Sequence, residues 1–551
     1  MLRPFFKPLS PLVLVLGVNL YFVLVLSAPI FSQFTRLFPV AGNGIEGYAR
    51  LGLFGISAFF YNVIFIWFCY WPMLWLRITL AGLFVLGGFI DYYTSVFGIC
   101  IDKTMIANAF NTDVNETLEL LHAGALINTF LFGILPAIFI LLVPIQQVTN
   151  KNKLLTMALL PILSLVLVIG VLLIPVGAHR MFHVILSATG TLSCALYPSN
   201  VINSSIRHGI SGIEEFWLSF TTKEVTAPDA QVKNLHSNTL PTVMILVIGE
   251  TARAKSYSLN GYPRATNPYL SKQSVISFTN ASSCGTQTII SVPCIFSEFG
   301  NHRQYRSTYL YTNENLLHVL MRVGVSVFWL SNNSIFKRLL YDIPHAKFGN
   351  HPSYPCIAIG CYDQQFISDL KVRMQSIKQQ SSSALLVYHL YGSHFDYDSR
   401  TPQEFKQFNP ICPKGSFSTC SVEQITNSYD STILYNDYVL AHLIEELKPY
   451  TNSVASVLLY TSDHGESLGE QGNFAHGLPY SYAPVEQTNV PFILWYSKSF
   501  EQSRKIDLGC LNKKIASPIS HQNIFHTTFW IFGIESKSWQ PDLNIFNCAV
   551  Q

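Results

Sequence analysis

Glu250, Asp463 and His464 offer two carboxylates and one imidazole from two distant stretches of a 551-residue chain. Oxygen and nitrogen donors of that mix suit zinc, which leaves a fourth position for a reacting group. Three further histidines, His389, His394 and His476, follow in or after comparable stretches. A lone histidine is more often structural than catalytic, but several near a carboxylate cluster point to a functional site. The segment Ser283-Cys-Gly-Thr-Gln-Thr-Ile-Ile-Ser-Val-Pro-Cys294 supplies a loop dense in hydroxyls ahead of a short apolar stretch. A threonine opening a helix there faces the positive end of the helix dipole, an arrangement suited to phosphate oxygens. A nearby metal would lower the hydroxyl pKa and activate it as a nucleophile. An ordinary helix-capping threonine fits the same spacing equally well.

Such groups need a scaffold that brings them together. From residue 241 onward, four short apolar runs read as buried strands: Val243–Gly249, Val325–Leu330, Ala384–Leu390 and Val454–Tyr460. Helical stretches such as Glu314–Val323 and Ile425–Leu447 separate them. This alternation predicts an α/β domain, a mostly parallel sheet with helices on both faces. Each strand runs into a polar cluster: Gly249-Glu-Thr251, Ser331-Asn-Asn-Ser334 with Lys337 close behind, His389-Leu-Tyr-Gly-Ser-His394, and Ser462-Asp-His-Gly-Glu466. Open α/β sheets bind ligands outside the carboxyl ends of their strands, so the four clusters are expected to converge.

The part ahead of this domain has a different composition. Charged residues make up 12% of the whole chain, against roughly 25% in ordinary soluble domains, and only 14 lie in the first 178 positions. Five apolar runs, near 11–31, 51–71, 78–98, 124–145 and 154–176, each have about the 20 residues that a membrane-crossing helix needs. The four runs behind the first favour a retained helix over a cleaved signal peptide. With the N-terminus inside, Arg3, Lys7, Arg77, Lys151 and Lys153 are cytoplasmic, against Arg36, Arg50 and Lys103 outside. An odd number of spans then sends the rest of the chain outside. The expected division is a transmembrane domain with five helices (1–178), an interfacial helix and linker (179–240) and an outer catalytic domain (241–551). A net charge of +3 is too small for a nucleic-acid footprint.

Eight cysteines lie beyond residue 240, and six fall into close pairs, Cys284 and Cys294, Cys356 and Cys361, Cys412 and Cys420, spaced 10, 5 and 8 positions apart. In an exported region such pairs read as disulfides. Cys510 and Cys548 are left over, with no familiar motif to join them.

The longest motifs are Val247-Ile-Gly-Glu-Thr-Ala-Arg253, Ser258-Leu-Asn-Gly-Tyr-Pro-Arg264, Cys284-Gly-Thr-Gln-Thr288, Ser291-Val-Pro-Cys-Ile-Phe-Ser297 and Ser462-Asp-His-Gly-Glu-Ser-Leu-Gly-Glu470. In this order they resemble the phosphoethanolamine transferases of Gram-negative inner membranes. That family includes the enzymes that modify lipid A and give polymyxin resistance, and it belongs to the alkaline phosphatase superfamily. The resemblance covers nearly the whole chain. It implies Thr288 as nucleophile, and Glu250, Asp463 and His464, with Thr288, as zinc ligands. Lys337, His394 and His476, with Ser334, fall on the family's phosphate side, around which a second zinc can bind. Asn108, Thr112 and Glu116 match residues that hold the lipid donor, although an amphipathic surface explains these three as well. The implied donor is phosphatidylethanolamine and the implied acceptor lipid A or another lipopolysaccharide group. The implied setting is a monomer in the inner membrane with its catalytic domain in the periplasm.

One stretch departs from the family. Trp329-Leu-Ser-Asn332 and Ile335-Phe-Lys337 replace the more usual Trp-Arg-Asp-Asn and Gly-Cys-Lys, which removes one common disulfide and lowers the local charge. A rival resemblance is to lipoteichoic acid synthase, a glycerol-phosphate transferase that also has five spans and a threonine nucleophile. The Cys-Gly-Thr-x-Thr loop and the paired cysteines argue against it. A sulfatase is disfavoured because no Cys-x-Pro-x-Arg site occurs. A non-catalytic receptor or assembly factor is disfavoured by the intact candidate ligand set.

Overall fold

The computed structural model describes residues 8–27, 73–99, 101–111, 123–146, 197–233, 240–349, 361–414 and 416–547, with isolated positions at 162, 166 and 356. Two compact units emerge, one drawn mainly from residues up to Gly212 and the other from Ile213 onward.

The first unit is helical. Helix α1 (Pro11–Leu24) starts on Ser10, whose side chain accepts the Val13 N–H, with proline at the first helical position, where its missing N–H costs nothing. Helices α2 (Met73–Phe97), α3 (Lys103–Asn111) and α4 (Ala123–Leu142) follow. Among the described residues α2 and α4 are long and apolar enough to cross a membrane, and they coincide with the third and fourth apolar runs. The second run, and all of the fifth but residues 162 and 166, lie outside the described residues. Helix α4 contains a π-helical stretch, Thr129–Ile134. There it packs closely on α2: a Cβ added to Gly88 would come within 2.7 Å of the Gly133 amide nitrogen. Small residues of this kind let apolar helices approach where no hydrophobic force separates lipid from protein. Asn128 donates to the Gly88 carbonyl at 2.8 Å and to the Asp91 carboxylate at 3.1 Å, which satisfies a carboxyl set among apolar side chains.

Helix α5 (Ser199–Leu218) exposes Ile206, Ile210, Ile213 and Trp217, spaced i, i+4, i+7 and i+11, so they form one apolar stripe. Phe216 and Phe220 are exposed beside them.

The second unit is built on a seven-stranded mixed sheet. Its strands are β1 (Thr242–Gly249), β2 (Ile276–Phe278), β3 (Ser326–Ser331), β4 (His345–Lys347), β5 (Ala384–His389), β6 (Ala455–Ser462) and β7 (Phe492–Tyr496). The order is β2-β7-β6-β1-β5-β3-β4. The five strands from β6 to β4 are mutually parallel, and β7 runs antiparallel to both β6 and β2. All eight residues of β1 are buried, as a central strand covered on both faces requires. Met244, Leu246 and Ile248 share a core cluster with Leu316, Leu317, Val319 and Leu320 and with Ile524, Phe525 and Phe529, from helices α7 (Leu316–Arg322) and α10 (Gln522–Phe532). The other face carries α8 (Gln365–Gln380), where the Tyr388 hydroxyl donates to Asp369 at 2.6 Å. Packed on α8 is α9 (Val422–Leu447), which opens on a capping box formed by Ser421 and Gln424. Helix α6 (Thr288–Ile295) lies between β2 and β3 in sequence.

The four expected strands and both expected helices form, within three residues of their expected ends. Sequence reading missed β2, β4 and β7. The first two have three residues each, too few for a periodic signal, and Phe492-Ile-Leu-Trp-Tyr496 is an apolar run that periodicity alone does not resolve. The three expected disulfides, Cys284–Cys294, Cys356–Cys361 and Cys412–Cys420, are present, with Cα separations of 6.2, 4.8 and 5.7 Å. Cys510 is also disulfide-bonded, and Cys548 lies outside the described residues.

Candidate active site and metal centre

Register aligns the strand ends. Gly249 pairs with Ser462, Ile248 with His389, and His389 with Ser331. The residues that follow the ends of these four strands therefore leave the sheet side by side. Gly392 lets the loop after β5 fold against β1, since a Cβ there would stand 2.7 Å from the Glu250 nitrogen.

Glu250, Asp463 and His464 are fully buried, and each offers one ligand atom within 4.8 Å of the others. His464 Nε2 lies 3.4 Å from Glu250 Oε1 and 3.2 Å from Asp463 Oδ2. The second ring nitrogen of His464, Nδ1, donates to the Gly465 carbonyl at 3.0 Å. That bond fixes the tautomer and leaves Nε2 bare, the state a metal-binding imidazole requires. Asp463 Oδ1 accepts the Thr251 and His464 amides at 3.1 and 2.7 Å, whereas its Oδ2 is buried with no hydrogen-bond partner. A buried orphan oxygen beside a bare imidazole nitrogen and a second carboxylate is costly unless a cation completes it. The donor set fits zinc.

Thr288, the first residue of α6, joins this group. Its hydroxyl donates to Glu250 Oε1 at 2.9 Å and lies 3.2 Å from His464 Nε2. The preceding loop is tied to the His476 segment: Thr286 donates to the Leu478 carbonyl at 2.7 Å and Gln287 to the Gly477 carbonyl at 3.0 Å.

Burial, then the neighbouring Glu250, pushes the Asp463 carboxyl up to about 7. Burial pushes His464 down to about 4 and His389 down to about 3. At His476 burial opposes the charged form, but Glu466, whose Oε2 is 3.2 Å from Nδ1, prevails and raises the pKa. The His476 ring lies 4.2 Å from that of His464, and His394 is close enough to His476 to disfavour its proton. His394 Nδ1 itself bonds to the Phe395 carbonyl at 2.6 Å.

Other expected residues lie further out. Ser334 and Lys337 are exposed in the turn after β3. Asn108 is half-buried on α3 in the first unit, and Thr112 and Glu116 lie outside the described residues.

Two residues escaped the sequence reading. Asn333 donates to Glu250 Oε2 at 2.8 Å, so both oxygens of that carboxylate are held. It sits in the Ser331–Ser334 cluster, the one signal that could have singled it out. Tyr429, in the N-terminal half of α9, donates to the Thr251 carbonyl at 2.7 Å and accepts the Arg253 amide at 2.9 Å. Thr251 has φ of +54°, a conformation that β-branched residues rarely adopt, and Tyr429 helps hold it directly behind Glu250.

A parallel-rich sheet with hydroxyl, carboxylate and imidazole groups gathered at its strand ends defines a sulfatase-type domain, and residues 242–534 match the family model described as Sulfatase. Residues 58–210 match a second model, Phosphoethanolamine transferase EptA/EptB. Phosphoethanolamine transferase EptA of Escherichia coli (strain K12) is 34% identical over 480 residues, covering 85% of this chain and 84% of that protein. Phosphatidylethanolamine transferase Mcr-1 of Escherichia coli is 30% identical over 510 residues, covering 89% and 91%. The integral membrane lipooligosaccharide phosphoethanolamine transferase A of Neisseria meningitidis superposes with a TM-score of 0.86 at 28% identity, covering 97% of this chain and 98% of that one. The chain belongs to the phosphoethanolamine transferase family.

Proposed function

We propose that this enzyme is a zinc-dependent membrane transferase that moves phosphoethanolamine from phosphatidylethanolamine to lipid A or another lipopolysaccharide group through a Thr288-linked intermediate. The observation that carries this reading is the contact of Thr288 Oγ with Glu250 and His464 beside the unpartnered Asp463 Oδ2. Glu250, Asp463, His464 and Thr288 hold zinc, which when bound favours the ionised hydroxyl and neutralises phosphoryl charge. Thr288 Oγ forms a bond to phosphorus as the bond from phosphorus to the diacylglycerol oxygen breaks. The threonine proton passes along its hydrogen bond to the Glu250 carboxylate, and His476, its pKa raised by Glu466, gives a proton to the leaving alkoxide. In the second half, an acceptor phosphate hydroxyl oxygen forms the new bond to phosphorus as its proton returns to His476, the bond to Thr288 breaks, and Thr288 Oγ recovers its proton from Glu250. His394, Lys337 and Ser334 line the phosphate side, where a second zinc can bind. Asn108, Thr112 and Glu116 hold the lipid donor.

The setting is an inner-membrane monomer with five spans, an interfacial helix and linker over 179–240, and the catalytic domain in the periplasm. The two long apolar helices and the stripe on α5 support it, as does the integral membrane relative. A role in polymyxin resistance follows from neutralising lipid A charge. Mass spectrometry of lipid A from cells with and without the gene tests the reading. One added phosphoethanolamine group that disappears with Thr288→Ala is expected, and expressing cells in which lipid A and the rest of the lipopolysaccharide are both unchanged would overturn it.

A further inference from the structure

His521 precedes α10 and lies on none of the strand ends that carry the candidate ligands. Its backbone N–H donates to the Ser282 carbonyl at 3.2 Å, extending the parallel pairing of Ile519 and Ser520 with Ala281 and Ser282. The ring is fully buried and uses both nitrogens. Nδ1 accepts the Cys284 amide N–H at 3.1 Å, and Nε2 donates to the Ser462 carbonyl at 2.9 Å. The Thr461 hydroxyl stands 3.5 Å from Nε2 as a weak third neighbour. An amide N–H can only donate and a carbonyl can only accept, so the partners dictate a neutral ring with the proton on Nε2. Burial, which pushes the pKa down to about 4, keeps the ring in that state near neutral pH.

The two ends of this bridge matter. Cys284 opens the Cys284–Thr288 loop and is joined by its disulfide to Cys294 in α6, the helix that begins at Thr288. Ser462 is the last residue of β6 and directly precedes Asp463 and His464. The loop and the strand are far apart in sequence, yet one rigid ring spans them. A shift at either end changes the distance between Thr288 Oγ and the ligand atoms, and a displacement of about 1 Å can cost about 100-fold in rate.

We propose that His521 is a positioning residue for the transfer reaction, a neutral bridge that sets how far Thr288 stands from Glu250, Asp463 and His464. The inference rests on the reading of Thr288 as the nucleophile. It is tested on the full-length, zinc-loaded enzyme in detergent, with phosphatidylethanolamine as donor. His521→Asn keeps an acceptor for the Cys284 amide and drops the Ser462 contact, whereas His521→Gln reaches Ser462 and drops Cys284. For both variants a fall in kcat of at least about tenfold is expected, with KM within about twofold, zinc content at the parental level and a cooperative melting transition. A folded variant with kcat within about twofold of the parent overturns the proposal. So does loss of zinc or of cooperative melting in both variants, since His521 would then serve only the fold. Thr288→Ala is measured alongside. If it still turns over, the nucleophile reading fails. If it is inactive while the His521 variants keep parental kcat, only the positioning role fails.

Discussion

Thr288 Oγ and Glu250 Oε1 stand 2.9 Å apart, although 38 residues separate them in sequence. The contact joins the first turn of a disulfide-clamped helix to the end of the central strand of the sheet. If the hydroxyl is the nucleophile, Thr288→Ser retains most transfer, and Thr288→Ala lowers kcat by at least about 10³-fold. Intact-mass measurement after incubation with donor is expected to find a phosphoethanolamine adduct in the serine variant and none in the alanine variant.

Asn333 holds the other oxygen of the same carboxylate at 2.8 Å. Removing an outer partner of a metal ligand typically weakens metal binding by about 10- to 100-fold. Asn333→Ala is expected to lose zinc to a competing chelator at a correspondingly lower chelator concentration, with little change in melting temperature once zinc is saturating.

If Asp463 is a zinc ligand, its carboxyl, pushed up to about 7 by burial and then by Glu250, gives zinc binding a pH dependence. Below pH 7 the metal must displace its proton, so apparent affinity rises by up to about tenfold per pH unit and flattens above 7. Competition titrations from pH 5.5 to 8 check this. In metal-free protein the sign for stability reverses: a raised carboxyl stabilises the fold at low pH, and that contribution is lost as pH rises through 7. Metal-free Asp463→Asn should therefore gain on metal-free parent in melting temperature between pH 5 and 8. His464, depressed to about 4 by burial, acts in the opposite sense, losing its contribution as pH falls from 6.5 to 4.

Tyr429 holds the Thr251 turn by two hydrogen bonds. Tyr429→Phe leaves a buried carbonyl and a buried amide without that partner and is expected to destabilise the outer domain by about 2 kcal/mol. Denaturant unfolding measures the loss. Relaxation of Thr251 displaces Glu250, so kcat falls as well in the folded fraction.

Much of the site was legible because open sheets deliver polar residues at strand ends. Glu250, Asp463 and His464 stood just after runs too apolar to be anything but buried, and His389 stood at the end of one. Residues that work by holding others were harder to see. Tyr429 looks like any aromatic on the inward face of a long helix, and His521 looks like the polar start of an apolar one. The positive φ at Thr251 was invisible because no glycine or asparagine marks it. Asn333 lay inside a cluster of four similar polar residues, and only the fold tells which one faces Glu250. The antiparallel strand β7 was missed because an apolar run carries no direction.

The stripe on α5 bears on how the outer domain is best handled by itself. Phe216, Trp217 and Phe220 are 57, 66 and 70% exposed, and Tyr311 bonds to Glu215 at 2.7 Å. A fragment that begins near residue 213 keeps three solvent-facing aromatic rings and is expected to form aggregates or cling to detergent micelles. A fragment that begins at Thr221 sheds all three rings and forfeits the Glu215 contact and the Thr221 bonds to the Leu218 carbonyl, so it is the better starting point for crystals or solution spectroscopy.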